Sequence, residues 1–130
     1  VLDPSGRALE DRKLFTDGQA PTLVVGPYAP GRSERLDCGA SPNRILAALR
    51  ERGLRSVLIE GGPRTLSAFL RAGALDRLHL LMAPKILGSG KPGILLPEAA
   101  TMASALTPQV STYPVGDDLL FDCRFTAPVA

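Results

Sequence analysis

Residues 56–73, S-V-L-I-E-G-G-P-R-T-L-S-A-F-L-R-A-G, constrain this chain more than any other stretch. Val57, Leu58 and Ile59 form a short continuous apolar run, the pattern of a strand covered on both faces. Glu60 stands at its carboxyl end. Gly61 and Gly62 follow, where backbone can turn sharply or be approached closely. Pro63 suits the first position of a helix, since the N–H it lacks would be unpaired there anyway. Leu66, Phe69 and Leu70 then fall on one helical face, and Gly73 stands where a left-handed cap ends the helix. The stretch therefore predicts strand, glycine turn and helix.

Such a turn is suited to an anion. The amides of Arg64, Thr65 and Leu66 are expected to be free at the helix start, where the helix dipole adds partial positive charge and Arg64 a full one. In open α/β sheets the ligand crevice lies off the carboxyl ends of the strands, and a phosphate or pyrophosphate is the natural occupant here. A Gly-Gly-Pro turn also serves as plain punctuation between a strand and a helix. The pattern alone leaves both readings open.

The rest of the chain supplies neighbours for this unit. Residues 22–26, T-L-V-V-G, predict a second buried strand. Ser41 and Pro42 predict a helix start, with Ser41 as its N-cap. Ile45, Leu46, Ala48 and Leu49 form the apolar stripe, and Gly53 the stop. Strand 22–26, helix 42–52 and strand 56–60 would then make a β-α-β unit with parallel strands. Residues 1–3 read as the end of a strand, 7–15 as irregular chain anchored by Leu14 and Phe15, and 35–37 as a further short strand. Residues 75–84 read as a strand, 85–97 as a glycine-containing loop, and 99–106 as a helical turn or short strand. Residues 110–114 and 119–125, joined through Gly116-Asp117-Asp118, read as a β-hairpin. The tail from Thr126 is expected to fray.

Composition excludes several classes. The 130 residues suit one domain, 1–130, and a net charge of +2 with no basic run gives no footprint for nucleic acid or an anionic membrane. No apolar segment reaches the length of a membrane span and no signal peptide opens the chain. Cys38 and Cys123 match no metal or redox spacing, which points to a cytoplasmic protein with reduced thiols and no metal. The G-S-G-K at residues 88–91 is not a P-loop: Lys85 stands where the motif needs Gly, and Pro92 where it needs Ser or Thr. His79, the one histidine, sits mid-strand among leucines and reads as a core or sheet-face residue. Asp117-Asp118 reads as a turn pair, and Lys85 as a solvated loop lysine.

Three segments together carry a family likeness: V-L-D-P-S-G-R at the start, V-L-I-E-G-G-P-R-T-L, and L-R-A-G-A-L-D-R-L-H-L-L-M-A-P-K-I-L-G-S-G. They resemble the carboxy-terminal reductase domain of the bifunctional riboflavin-biosynthesis deaminase/reductase, over nearly the whole chain. The resemblance implies an α/β, dihydrofolate-reductase-like three-layer fold with a mixed sheet, parallel early and antiparallel at the C-terminal hairpin. It also implies NADPH-dependent reduction of the ribosyl group of 5-amino-6-(5-phosphoribosylamino)uracil to a ribityl chain. By match to the motif, Glu60 would contact the phosphoribosyl-pyrimidine substrate. Gly61, Gly62, Pro63, Arg64, Thr65, Leu66, Ser67 and Ala68 would hold the cofactor phosphates, and Pro4 and Ser5 would lie near the cofactor.

The resemblance assigns no catalytic residue within this sequence. Pro4 stands where family members often have Ser, so a side-chain hydrogen bond is lost unless Ser5 replaces it. The family's first strand and its Asp-Asp-Pro segment have no counterpart here, nor does the zinc deaminase signature. On these grounds the 130 residues alone are expected to be inactive or unstable, and a homodimer and a fused deaminase are expected in the parent protein. The competing readings are a reductase of a related pteridine or pyrimidine, and a non-catalytic nucleotide-binding or oligomerisation module of the same fold.

Overall fold

The computed structural model describes residues 1–125. The residues after Phe125, where fraying was expected, lie outside the described part. The chain forms two compact units, Val1–Leu58 and a second that begins at Ile59.

The first unit contains helix α1 (Lys13–Thr16), strands β1 (Leu23–Val24) and β2 (Glu34–Arg35), and helix α2 (Pro42–Glu51). Strands β1 and β2 pair in parallel, and Leu2 bridges Val25, also in parallel. Val24 and Val25 are buried, so the T-L-V-V run is the covered strand its pattern implies. Val25, Leu36 and Ile45 form the core, with Cys38, Ala48 and Leu49 packed against it. Three positions of the α2 stripe thus meet the strands. Ser41 occupies the N-cap position with extended backbone, but its side chain makes no capping bond. The helix stops at Gly53, which takes φ +82° while the Gly53 and Leu54 amides bond back to Arg50 and Leu49. That is a Schellman cap.

The structure departs from the sequence pattern at three places up to residue 60. Residues 56–60 form no strand, and no β-α-β crossover closes through them. Val57 is 41% exposed and Leu58 82%, and among the described residues no backbone group of 56–60 finds a ladder partner. A strand exists only through its partners, so apolar character alone does not make one. Residues 7–15 are not wholly irregular, since α1 begins at Lys13; Phe15 is buried but Leu14 is 45% exposed, so Phe15 alone anchors the segment. The short strand expected over 35–37 lies at Glu34–Arg35.

The second unit holds helix α3 (Pro63–Arg71), strand β3 (Arg77–Met82), a 3₁₀ turn (Met102–Ser104), and strands β4 (Gln109–Val115) and β5 (Asp118–Arg124). The sheet order is β3-β5-β4, antiparallel throughout. The hairpin turn is Gly116-Asp117, with Val115 paired to Asp118. Gly116 takes φ +62° and, among the described residues, no residue other than glycine has positive φ, the sign pattern of a II′ turn, whose twist suits the flanking strands. Helix α3 ends as its sequence implies: Gly73 takes φ +59°, and the Gly73 and Ala74 amides bond to Leu70 and Phe69.

Asp122, in the central strand, is 1% exposed. Its carboxylate accepts two bonds from Arg77, at 2.5 and 2.6 Å, with Arg124 and His79 at 3.6 and 3.4 Å. His79 lies directly across the strand pair from it, a half-exposed sheet-face histidine. The Arg77 bond holds the Asp122 carboxyl at about 2, below its ordinary 3.8. A carboxylate with a depressed folded value contributes stability that is complete above the ordinary value and lost as pH falls through the folded one. Asp3 is shifted the same way by the backbone amides of Arg7 and Ala8. The expected result is stability that is level above about pH 4 and drops steeply between about pH 4 and 2. Urea midpoints measured across that range check it, and in Asp122→Asn the acid drop should be much shallower.

Candidate phosphate-binding turn

The expected site centres on the start of α3. Gly62 is its N-cap, with φ −73° and ψ 175°, and Pro63 is the first helical residue. The φ is one any residue adopts, so glycine is not needed there for backbone freedom. What Gly62 supplies is space: a Cβ built on it meets nothing within 4 Å. At Gly61 the added carbon would crowd the Thr65 side chain at 3.3 to 3.5 Å. The turn is thus closed against Thr65 at one glycine and open at the other.

The amides are fewer than the three expected. The Leu66 N–H donates to the Gly62 carbonyl at 3.2 Å, and the Thr65 N–H to the same oxygen at 3.1 Å. The Leu66 bond is the first rung of the helix, because the N-cap carbonyl already accepts from four residues on. Of the three amides expected to be free, only that of Arg64 has no acceptor among the described residues; those of Gly61 and Gly62 also have none. Arg64 and Glu60 are exposed, and neither side chain has an ion-pair partner among the described residues. An exposed guanidinium, unpaired amides and the dipole of a nine-residue helix together favour an anion.

The helix positions divide by face. Thr65, Leu66 and Ala68 are half-buried. Ser67 is fully buried, and its hydroxyl accepts a 2.6 Å bond from the Leu95 amide. In this structure the Ser67 hydroxyl is therefore occupied by the Leu95 amide and faces away from solvent.

The other expected positions lie in the first unit. The Asp3 carboxylate accepts from the Arg7 and Ala8 amides at 3.0 and 2.8 Å, and the Ser5 hydroxyl accepts from Arg7 Nε at 2.9 Å. Pro4 lines a cleft of about 220 Å³ together with Val25, Gly26, Arg35 and Leu36. Arg35 is held at its rim by the Gly26 carbonyl (3.1 Å) and Asp37 (3.2 Å). The cleft lies where three parallel segments end, the place a ligand takes in α/β sheets. Of its lining the sequence pointed to Pro4 alone; Gly26, directly after an apolar run, was the available signal for the rest. Among the described residues no three His, Cys, Asp or Glu side chains converge as a metal site would require, and no helix is long and apolar enough to cross a membrane.

The family model described as "RibD C-terminal domain" matches residues 1–121. The riboflavin biosynthesis protein RibD of Mycobacterium tuberculosis is 40% identical over 120 residues, covering 92% of this chain and 29% of that protein. RibD of Aquifex aeolicus is 33% identical over 99 residues, covering 69% of this chain and 28% of its own. This chain thus spans under a third of the length of these curated relatives. Among solved structures, RibD of Acinetobacter baumannii superposes with a TM-score of 0.76 at 23% identity, covering 96% of this chain and 36% of that one. A Thermotoga maritima protein described as a diaminohydroxyphosphoribosylaminopyrimidine deaminase/5-amino-6-(5-phosphoribosylamino)uracil reductase gives 0.70 at 24% identity, with the same coverages. These structures fix the fold as the dihydrofolate-reductase-like α/β arrangement, parallel early and antiparallel late.

Proposed function

The chain belongs to the RibD C-terminal domain family, and from that premise we propose that it is the NADPH-binding reductase part of a riboflavin-biosynthesis enzyme. Its substrate in this reading is 5-amino-6-(5-phosphoribosylamino)uracil, whose ribosyl group is reduced to a ribityl chain. The observation that carries the reading is the open N-cap at Gly62. A phosphate can approach that backbone where any side chain would stand in the way, and Arg64 supplies both an unpaired amide and a cation beside it.

Gly61, Gly62 and Arg64 would hold the dinucleotide phosphates, with Pro63 setting the direction of the helix. Thr65, Leu66 and Ala68 shape the same turn. Pro4 and Ser5 would border the cofactor by family likeness, and Glu60 would meet the substrate. When bound, the reduced nicotinamide supplies the hydride. The protein's part is to orient two ligands and exclude water. The reading includes action as a homodimer beside a zinc deaminase; the relatives' greater length and the Thermotoga protein's double name support the deaminase.

Calorimetric titration with NADPH and NADH tests this. The expected result is saturable binding of NADPH, tighter than NADH. No binding of either by a folded chain overturns the reading, and binding without turnover in the full-length protein favours a non-catalytic module.

A further inference from the structure

Alternate residues of a strand share a face, and residues paired directly across two strands share it too. One face of the β3-β5-β4 sheet therefore has its charges sorted along the strands. At one end Arg77 and Arg124 are paired across β3 and β5, with His79 and Asp122 in the next row. Asp122 is the one carboxylate there, and with His79 neutral the two guanidinium groups leave one positive charge in excess. All three basic side chains are more than half exposed. At the other end stand Asp118, on the same face of β5, and Asp117 in the turn. Neither has an ion-pair partner among the described residues. Between the two ends lies the row Leu81, Leu120 and Tyr113. Leu81 is 60% exposed and Tyr113 49%.

A face that is cationic at one end, apolar in the middle and acidic at the other complements itself when reversed. We propose that it docks a second copy of this chain, the two sheets stacked face to face with their strands antiparallel about a two-fold axis. Arg124 lies six residues from Asp118, about 20 Å along the strand at 3.4 Å per residue. Reversal sets Arg124 of one copy opposite the partner's Asp118, and symmetry repeats the contact at the other end. The apolar rows then cover each other, whereas a parallel stack would put like charges together. Pairing edge to edge through β4 is the poorer arrangement, because Pro114 in that edge strand has no N–H to give to an added strand. The inference rests on the homodimer of the function proposed above and supplies its interface; cofactor and substrate play no part in it.

Sedimentation equilibrium tests it on the wild-type chain, Asp118→Lys, Arg124→Glu, and Glu51→Lys, the last an exposed acidic residue of α2 outside this face. The wild type should be a dimer whose dissociation constant rises severalfold between about 0.1 and 1 M salt, as the screening length falls from about 10 to about 3 Å. Asp118→Lys and Arg124→Glu should each weaken association by about tenfold or more, since each sets like charges against each other at both ends. An equimolar mixture of these two variants should recover the dimer, because every such contact then joins unlike charges. Glu51→Lys should associate as the wild type does. Asp118→Lys breaks no ion pair of the fold, so it stands as a test alone if Arg124→Glu fails to fold. A dimer indifferent to salt and to Asp118→Lys overturns this interface and leaves the homodimer standing; an equal loss in Glu51→Lys overturns the interface too. A wild-type chain that is monomeric at every concentration overturns both. None of these results bears on NADPH binding, which the calorimetric titration decides separately.

Discussion

Gly62→Asp should weaken NADPH binding by about a hundredfold or more while leaving the chain as stable as before or slightly more so. The two effects part because of what occupies the N-cap. Aspartate is among the best N-cap residues, a few tenths of a kcal/mol better than glycine there. Gly62 has a φ of −73°, and nothing lies within 4 Å of where a Cβ would stand. The protein therefore accommodates the new side chain without strain. A phosphate does not. The carboxylate would take up the amides meant for the ligand and place a negative charge against it, and losing hydrogen bonds to a charged group costs about 1.5–3 kcal/mol before repulsion is counted. Titration by calorimetry and a urea midpoint on the same variant check both halves. Equal loss of stability and binding would mean that the turn is structural only.

Phe69→Ala should do the reverse and remove binding by removing the helix. Phe69 is 5% exposed, beside Leu70 at 7%. Truncating a buried Phe costs about 3–5 kcal/mol, against the roughly 5–15 kcal/mol that holds a small domain together. Helix α3 has nine residues, too few to persist in water without a buried face. Its amide end exists only while that face is docked. Urea unfolding should show the full loss. NADPH affinity should fall in proportion to the fraction of chain unfolded and recover where the fold is restored by osmolyte. Retained affinity in an unfolded second unit would place the ligand elsewhere.

Local chemistry made the helices legible. Pro63 and Gly73 bracket α3, Gly53 closes α2, and Gly116 turns the hairpin, because each position asks for a property only that residue type has. The lack of a strand at 56–60 was not legible in the same way. Three apolar residues in a row report an affinity for burial, and whether a ladder forms depends on partners that no local pattern names. At the turn, the glycines and the start of the helix at Pro63 were readable. The Leu66 amide was misassigned by counting one residue too far into the helix, where the N-cap carbonyl already takes it. Ser67 and Asp122 escaped for one shared reason. Each is a polar side chain buried by contacts with residues 28 and 45 positions away, so its neighbours in sequence say nothing of its role. The cleft at Pro4 is assembled from three separated segments and escaped likewise.

The phosphate site at the Gly62 turn is tested most directly by an amide-resolved titration of the ¹⁵N-labelled chain with NADPH. The Gly61, Gly62 and Arg64 amides should move first and furthest, with saturation common to all three. Saturable binding that leaves these three amides unmoved would contradict it, whatever the affinity.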